Sequence, residues 1–309
     1  MRIVRRPGVG GGETAVAIGS FDGVHRGHAA ILGRLREKSR LLGLQSAVLT
    51  FEPLPREHFT PGSAPARLAS LREKLAAIAG LGIERAVVER FDARFAALTP
   101  EAFAERLRHV HGARWVVVGA DFRFGARRAG DAATLRELGQ RLGFEVEVMG
   151  AIDDDGERVS STRVRAALEA GDCALAARLL GRPYVICGRV LHGHKVGRTW
   201  GFPTANVALG RARPALSGVF AVRCLGATTR GLEGVASLGP KPAVQTGGPA
   251  TLEAFLFDFQ GDLYGRLISI EFVKKLRDEA HFASLDELRA QIARDCEAAR
   301  ECFRDLETP

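Results

Sequence analysis

Residues 19–28 read Gly-Ser-Phe-Asp-Gly-Val-His-Arg-Gly-His and follow directly on an apolar run at 14–18. The segment that comes next places Ile31, Leu35 and Leu42 at helical spacing. A strand, a glycine-containing loop and a helix in this order suit a phosphate group. Glycines let the backbone approach an anion, and a helix start offers free N–H groups and a positive dipole end. We therefore predict an anionic ligand at this junction.

The two histidines of the stretch, His25 and His28, are three residues apart across the predicted helix start. Both side chains could point at the same phosphates. Imidazole N–H donors there would stabilise the charge that develops as an α-phosphate is attacked and pyrophosphate leaves. An isolated pair of this kind is more commonly a helix cap or a surface feature, so the interpretation depends on what accompanies it.

A second element, at 158–165, reads Arg-Val-Ser-Ser-Thr-Arg-Val-Arg. It offers hydroxyl and backbone N–H groups at another helix start, with Arg165 about one turn further along. Alone it would be an ordinary Ser/Thr cap on a basic surface helix. Together the two elements predict a divided ATP-binding site.

Around these elements, strand-type runs alternate with helical patterns as far as about residue 180. The runs lie at 14–18, 47–51, 85–88, 114–118 and 144–148. Such alternation predicts an α/β, Rossmann-like domain with a parallel sheet and right-handed crossovers, whose ligands sit at the carboxyl ends of the strands.

After Gly181-Arg182-Pro183 the pattern changes to consecutive β-type runs separated by turns that contain Gly and Pro. These runs lie at 184–191, 204–209, 218–225, 232–238, 251–259 and 267–276. They predict a small antiparallel β-barrel or a sandwich. A final helix should follow, with Ser284 and Glu287 as a capping box. We place the two domains at 1–183 and 184–309.

The length of the chain favours two domains, and its net charge fits partners that carry phosphate. The chain has 309 residues and a formal net charge of +8, which fits a nucleotide, a nucleic acid or an anionic membrane surface. Its five cysteines lack CxxC spacing, which argues against a disulfide framework and a structural zinc site. No apolar run approaches the roughly 18 to 20 residues of a membrane span, and the N-terminus lacks the apolar stretch of a signal peptide. We expect a cytoplasmic protein.

The most specific stretch of the second half lies at 188–206 and reads Gly-Arg-Val-Leu-His-Gly-His-Lys-Val-Gly-Arg-Thr-Trp-Gly-Phe-Pro-Thr-Ala-Asn. Glycines beside basic residues suit a phosphate loop, although a glycine-rich β-turn has the same composition. Thr204 and Asn206 would face the same side of an extended strand, and their oxygens suit Mg²⁺. As an isolated pair they would more commonly form a turn.

His192 and His194 invite a metal-site interpretation, but their neighbours favour a phosphate-loop or surface role.

On these residues the chain resembles the HxGH nucleotidyltransferase superfamily, and specifically the bifunctional riboflavin kinase/FAD synthetase family of bacteria. The resemblance covers nearly the whole chain and extends to Thr-Phe-Glu-Pro-Leu-Pro at 50–55, Gly-Ala-Asp-Phe-Arg-Phe-Gly at 119–125 and Gly-Phe-Pro-Thr-Ala-Asn at 201–206. It implies that the N-terminal module transfers AMP from ATP to FMN, giving FAD and pyrophosphate. It also implies that the C-terminal module phosphorylates riboflavin with ATP, and that both steps need Mg²⁺.

For the N-terminal module the resemblance implies three catalytic residues, His25, His28 and Arg165. The ATP site that it implies consists of Gly19, Phe21, Gly23, His25, His28, Arg158, Ser161, Thr162 and Arg165. The flavin contacts that it implies are Phe51, Asp121, Phe122 and Phe124. Core packing is an equally good interpretation for the three phenylalanines, and Asp121 could cap a loop. The chain departs from residues common in the family at Ser20, Leu54 and Ala120.

For the C-terminal module the resemblance implies that Glu253 is the general base, which orients the ribityl 5′-hydroxyl and accepts its proton. Glu253 could also be a plain exposed strand residue. The implied ATP contacts are Gly193, Gly197, Gly201, Thr204 and Asn206, with Mg²⁺ on the last two. The implied flavin contacts are Arg277 and Glu279, and His281 lies in the same family-like segment. Ala243 departs from the family pattern.

Two alternatives stay open. The chain could retain only one of the two activities. It could also be a basic nucleic-acid-binding protein, since HxGH with a serine-rich loop also resembles tRNA-charging enzymes; against this, no RRM, KH or helix-turn-helix signature appears and the basic residues are spread out. We expect riboflavin, FMN, FAD and ATP as partners, and neither a nucleic acid nor a membrane. The sequence leaves the oligomeric state open.

Overall fold

The computed structural model describes residues 1–5, 12–192, 202–240 and 250–307. The chain divides into two compact units. The first consists of Met1–Pro65 and Lys74–Ser160, and the second of Ala66–Glu73 and Ser161–Pro309.

The first unit contains a six-stranded parallel sheet. Its strands are β1 (Arg2–Val4), β2 (Thr14–Ile18), β3 (Gln45–Glu52), β4 (Arg85–Arg90), β5 (Ala113–Gly119) and β8 (Glu145–Met149). Their order is β1-β4-β3-β2-β5-β8, and every neighbouring pair is parallel. The predicted α/β domain is confirmed. The edge strand β1 is additional, because three residues are too few to show a periodic pattern.

Helices connect these strands. They are α1 (Arg26–Leu42), α2 (Pro55–Phe59), α3 (Leu71–Gly80), α4 (Ala93–Ala96), α5 (Pro100–His109) and α6 (Ala132–Leu142). Two small hairpins complete the unit: β6 (Arg123–Phe124) with β7 (Gly130–Asp131), and β9 (Asp153–Asp154) with β10 (Glu157–Arg158). Helix α3 begins in the second unit and continues in the first from Lys74.

The sheet of the first unit is buried on both faces. Along β2, Val16 and Ile18 belong to one apolar cluster, whereas Ala15 and Ala17 belong to another. Alternate side chains of a strand point to opposite faces, so β2 contributes to both layers of the core. This explains why 14–18 is apolar throughout rather than alternating.

The carboxyl ends of the parallel strands bring three loops to one edge of the sheet. Strand β2 ends at Ile18, just before the loop 19–25, and it lies between β3 and β5. Strand β3 ends at Glu52, and β5 ends at Gly119. The predicted ATP loop therefore shares its edge with the residues that follow Glu52 and Gly119.

The second unit contains a closed barrel of antiparallel strands. They are β11 (Tyr184–Leu191), β12 (Thr204–Val207), β13 (Gly218–Leu225), β14 (Leu232–Pro240), β15 (Ala250–Leu256) and β16 (Leu267–Arg277). Around the barrel their order is β11-β12-β15-β14-β13-β16. The predicted antiparallel barrel is confirmed, and the sandwich that the pattern of runs also allowed is not formed.

The predicted final helix is confirmed as α9 (Leu285–Glu307). Ser284 Oγ accepts from Glu287 N, as the capping box requires, while the Glu287 carboxylate accepts from Ala283 N. Cys296 and Phe303 pack with Val219 of β13 in one apolar cluster. Helix α9 therefore covers part of the outer face of the barrel.

A segment from the N-terminal half of the sequence also belongs to the second unit. The buried Tyr184 hydroxyl donates to Leu68 O at 3.0 Å, and Cys187 N donates to Glu73 Oε1 at 2.6 Å. The Arg211 side chain is fully buried, forms an ion pair with Glu73 and donates to Leu68 O at 2.7 Å. Helices α7 (Ser161–Glu169) and α8 (Cys173–Leu180) lie in this unit as well. The units thus separate at residue 160, whereas residue 183 marks the change from helices to barrel strands.

Candidate functional site

The loop after β2 is a tight turn that holds two bulky residues in the left-handed region. Phe21 has φ 49° and Val24 has φ 44°, and Val24 N donates to Phe21 O at 3.3 Å. Positive φ in such residues is costly and is typical of sites where geometry serves a ligand. A Cβ on Gly19 would lie 3.2 Å from the buried Phe21 ring, so the absence of a side chain at Gly19 leaves room for that ring.

His25 and His28 lie against each other at the start of α1. His25 is the N-cap residue, and its Nδ1 accepts from His28 N at 3.3 Å. The two rings stack with centroids 3.7 Å apart, and the edge of Phe21 meets His28 at 5.2 Å between centroids. A Cβ on Gly27 would lie 3.2 Å from the His25 ring. The glycine of the HxGH pattern therefore makes space for the first histidine.

Buried His28 has a polar ring atom that no other residue of the described ranges satisfies. Burial lowers the pKa of His28 well below 6.5, and the charges of His25 and Lys74 lower it further. Within the part of the chain that the structure describes, His28 Nδ1 has no hydrogen-bond partner. A buried polar atom without a partner is costly, and a ligand at this position would satisfy it.

The β9–β10 hairpin is tied to the same helix start. Arg26 Nη1 and the buried Asp154 Oδ1 form an ion pair at 2.7 Å. The backbone oxygen of Val159 lies 3.7 Å from where a Cβ on Gly27 would be. The structure thus brings the residues just before α7 to the HxGH stretch. No local pattern points to Asp154, because its partner lies 128 positions away along the chain.

The other residues predicted for this site are divided between the two units. Arg158 Nη2 forms an ion pair with Asp121 Oδ2 at 2.9 Å, which joins a predicted ATP contact to a predicted flavin contact. Ser161, Thr162 and Arg165 lie on α7, in the second unit. Arg165 Nε donates to Ala66 O at 2.6 Å within that unit.

The phenylalanines predicted to meet the flavin divide into packing and surface residues. Phe51 and Phe124 are buried in the main apolar cluster of the first unit. Phe122 is half-buried and stacks on Phe124, with centroids 5.5 Å apart. For Phe51 and Phe124 the structure therefore supports core packing.

A partly exposed aromatic surface, which the sequence analysis missed, lies beside Phe51. Phe91 lies just after β4, and its ring packs against the rings of Phe51 and Phe59, with centroid distances of 5.8 Å and 5.6 Å. His58 contacts both Phe59 and Phe91, and the Phe59 side chain is 62% exposed. We call His58, Phe59 and Phe91 the aromatic surface. One feature of the sequence could have indicated this surface, namely that Phe91 directly follows a strand.

On the barrel, the register brings together polar residues from three strands. Asn206 of β12 is opposite Glu253 of β15, which is opposite Ser237 of β14. Thr204 is two residues before Asn206 and shares its face. All four side chains are half-buried. Glu253 alternates along β15 with the inward-facing residues Leu252 and Ala254, so Glu253 and the residues paired with it lie on the outer face of the barrel. We call Thr204, Asn206, Ser237 and Glu253 the barrel cluster.

Glu279 joins the barrel cluster, whereas Arg277 is held by α9. Ser237 Oγ donates to Glu279 Oε1 at 2.7 Å. Arg277 donates from Nε and Nη2 to the buried Asp295 carboxylate, at 2.9 and 2.7 Å. Gln291 Nε2 also donates to Asp295, at 2.8 Å. Asp295 is a further residue that the sequence analysis missed.

The barrel cluster suits Mg²⁺, since hydroxyl, amide and carboxylate oxygens are the ligands that this ion prefers. Within the described ranges no three His, Cys, Asp or Glu side chains form a group that could hold a metal ion. His192 stacks on Tyr264 with centroids 3.9 Å apart, as a surface residue would. The predicted Gly193, Gly197 and Gly201, together with His194 and Ala243, lie outside the described residues.

Comparison with known protein families matches both halves of the chain. The FAD synthetase family model matches residues 11–163, and the riboflavin kinase family model matches residues 180–303. Among the described residues, no helix combines the length and the apolar composition that crossing a bilayer requires.

Curated relatives match across both halves at once. A bifunctional riboflavin kinase/FMN adenylyltransferase of Escherichia coli (strain K12) is 49% identical over 289 residues, which is 93% of this chain and 92% of the relative. A protein of the same name from Haemophilus influenzae is 42% identical over 291 residues, 94% of each chain. A solved structure titled as a macrolide-efflux protein of Streptococcus pneumoniae has a TM-score of 0.81 and 28% identity, and the match covers 97% of this chain and 99% of that one.

Proposed function

Because the chain belongs to the bifunctional riboflavin kinase/FMN adenylyltransferase family, we propose that it makes FAD in two steps, each at one of the two sites described above. The C-terminal module phosphorylates riboflavin with ATP, giving FMN and ADP. The N-terminal module adenylylates FMN with a second ATP, giving FAD and pyrophosphate. We assign the modules to 1–183 and 184–309, since the riboflavin kinase match begins at 180 and the first barrel strand at Tyr184. The observation that carries the proposal is the match of both family models within one chain.

In adenylyl transfer, the phosphate of FMN attacks the α-phosphate of ATP. His28 and His25 would donate hydrogen bonds to the phosphate oxygens as negative charge develops on them. The partnerless Nδ1 of His28 supports this role. The tight loop with Gly19, Phe21 and Gly23 would let the backbone approach the nucleotide.

The second half of the ATP site would come from the segment that ends the N-terminal module. Ser161 and Thr162 would donate hydroxyl and backbone N–H groups at the start of α7. Arg165 would stabilise the transition-state charge. Arg158 would contact a phosphate, exchanging its partner Asp121 for the nucleotide.

The flavin ring of FMN would lie on the aromatic surface at the carboxyl ends of β3 and β4. Flat aromatic ligands bind well to exposed rings that a packed core holds in place. Phe51 and Phe124 would support this surface from the core, while Phe122 and Asp121 would border it.

In the kinase module, Glu253 would orient the 5′-hydroxyl of riboflavin and accept its proton. Thr204 and Asn206 would hold Mg²⁺, which when bound neutralises the ATP phosphates and orients them. Gly193, Gly197 and Gly201 would contact the same phosphates. Glu279 and Arg277 would contact the flavin, and Asp295 would hold Arg277 in position.

The test is to incubate the purified protein with riboflavin, ATP and Mg²⁺ and to resolve the flavins by chromatography. We expect FMN to appear first and FAD to follow, and EDTA to stop both products. If neither product forms, the proposed function is wrong; if only one forms, the chain has kept a single activity. Fractionation of cells that express the protein would test our proposal of a cytoplasmic location.

A further inference from the structure

The part of helix α3 that lies in the first unit carries a lysine that is buried almost completely. The side chain of Lys74 is 1% exposed and is among the largest fully buried side chains of the protein. Its neighbours along the helix, Leu75 and Ile78, are ordinary core residues. Lysine is rarely buried to this degree, because taking an ammonium group out of water costs free energy that its partners must offset.

The partners of the ammonium group come from the loop after β2 and from the end of strand β3, both at the carboxyl edge of the sheet. Lys74 Nζ donates to Ser20 O at 3.0 Å, to Thr50 Oγ1 at 3.2 Å and to Phe51 O at 3.5 Å. Thr50 Oγ1 in turn donates to Ser20 O at 3.2 Å. One ammonium group therefore joins the loop after β2 to the end of β3.

The loop after β2 and the end of β3 would contact different substrates in the proposed reaction. Ser20 lies in the loop that leads to His25 and His28, where the nucleotide would bind. Phe51 supports the aromatic surface, where the flavin would lie. A shift of either segment would change the distance between the attacking phosphate and the α-phosphate, and small misplacements of reacting groups cost large factors in rate.

The ammonium group also acts on the site electrostatically. Its positive charge lowers the pKa of His28, as does the charge of His25. A buried charge is screened less by solvent and salt than a surface charge. A fixed positive charge behind the loop favours the binding of a polyphosphate and the build-up of negative charge on it.

We propose that Lys74 is a positioning residue for adenylyl transfer, which holds the nucleotide loop and the flavin-side strand end in register and places a fixed positive charge behind His28. This inference rests on the proposed function of the N-terminal module. Lys74 touches neither substrate in it. Its effect should therefore appear in the turnover of FAD formation and should leave riboflavin phosphorylation unchanged.

The main experiment compares Lys74→Met with the wild-type protein and with Lys38→Met. Methionine keeps much of the apolar volume of lysine and removes the charge. Lys38, on α1, is a half-buried lysine of the same unit and provides the same chemical change as a control. FAD formation is measured with added FMN and Mg-ATP, and FMN formation is measured with riboflavin in the same preparations.

For Lys74→Met we expect kcat for FAD formation to fall about 10- to 100-fold, with KM for FMN changing much less and FMN formation within about twofold of wild type. Lys38→Met should leave both activities at the wild-type level, and Lys74→Arg should recover part of the lost kcat because it restores the cation. Normal kcat for FAD formation in folded Lys74→Met would overturn the inference. So would an equal loss of both activities, or a loss confined to KM.

If Lys74→Met does not fold, the Thr50→Val variant tests the positioning role of Lys74 instead. It removes a hydroxyl that accepts from Lys74 and donates to Ser20 O, and it preserves the shape of the side chain. We expect kcat for FAD formation to fall at least about threefold with FMN formation unchanged, and an unchanged kcat would overturn the inference. Failure of the wild-type protein to make FAD would instead count against the proposed function.

Discussion

The two sites of the protein are built in different ways. The N-terminal site is made largely by the main chain: a tight loop with Phe21 and Val24 at positive φ leads into a helix start, where His25 and His28 stack. The barrel cluster is made by side chains of separate strands, which the antiparallel register places side by side. A site made by consecutive residues is visible as a motif. A site made by register can be recognised only once the strands are paired.

This difference has a consequence for mutagenesis. In the barrel cluster one functional group can be replaced while the strands that carry it stay paired. In the N-terminal loop a small change of backbone or packing should move several groups together.

Glu253→Gln should lower the rate of FMN formation about 100- to 10,000-fold, because an amide cannot accept the proton of the riboflavin hydroxyl. Adenylylation of added FMN should continue at the wild-type rate. Both rates can be measured by chromatography of the flavins. Glu271→Gln, the same change on β16 at a residue paired with Arg223, is the control and should leave FMN formation unchanged. Wild-type FMN formation by Glu253→Gln would remove Glu253 from the role of general base.

His28→Ala should lower FAD formation about 100- to 1000-fold, since it removes a donor aimed at the developing charge. FMN should accumulate when the variant is given riboflavin and ATP. The control is His109→Ala, an exposed histidine at the end of α5. Loss of both activities in a folded His28→Ala protein would contradict the separation of the two sites.

Gly27→Ala tests whether packing in the loop controls the chemistry. The added Cβ would lie 3.2 Å from the His25 ring, so the ring must shift by a few tenths of an ångström. We expect FAD formation to fall about tenfold. Gly33→Ala is the matched control in the same helix, because its Cβ would meet nothing within 4 Å. It should raise thermal stability slightly, as alanine favours helices, without changing the rate. A normal rate in Gly27→Ala would show that the His25 ring tolerates displacement.

The smallest effect concerns the protonation of His28. Titration of its ring by NMR, assigned with the His28→Ala variant, should give a pKa below 6.5 in the free protein. Added pyrophosphate should raise that pKa, because a nearby anion favours the imidazolium. As the pH falls below 6.5, the unfolded chain takes up a proton that the folded His28 does not, so the free energy of unfolding should decrease. A pKa at or above 6.5 without ligand would contradict the burial of this ring.

Much of the fold was predictable because its signals are local. The buried strands of the parallel sheet are continuous apolar runs, and the barrel strands are short β-type runs between turns. The edge strand β1 was not predictable, because it is too short to show a period. The order of the strands around the barrel was not predictable either, because it depends on which strands pair.

The residues missed at the sites share one property: their role depends on a distant partner. Lys74 reads as an ordinary helix lysine until its helix packs beneath the loop of Ser20. Asp295 lies on a polar stretch of α9, and only the fold brings it to Arg277. Phe59 is one of many phenylalanines in the chain, and its contact with Phe91 requires that the residues after β3 and β4 meet.

By itself the sequence determined the two modules, the HxGH helix start, the serine-rich second element and the residue types of the barrel cluster. These features are contiguous or periodic, and backbone preferences act over a few residues. Only the tertiary structure decided that Phe51 and Phe124 pack in the core, that Ala66–Glu73 belongs to the second unit and that Lys74 is buried at the carboxyl edge of the sheet. These outcomes depend on long-range packing, where the burial of one side chain is set by residues tens of positions away.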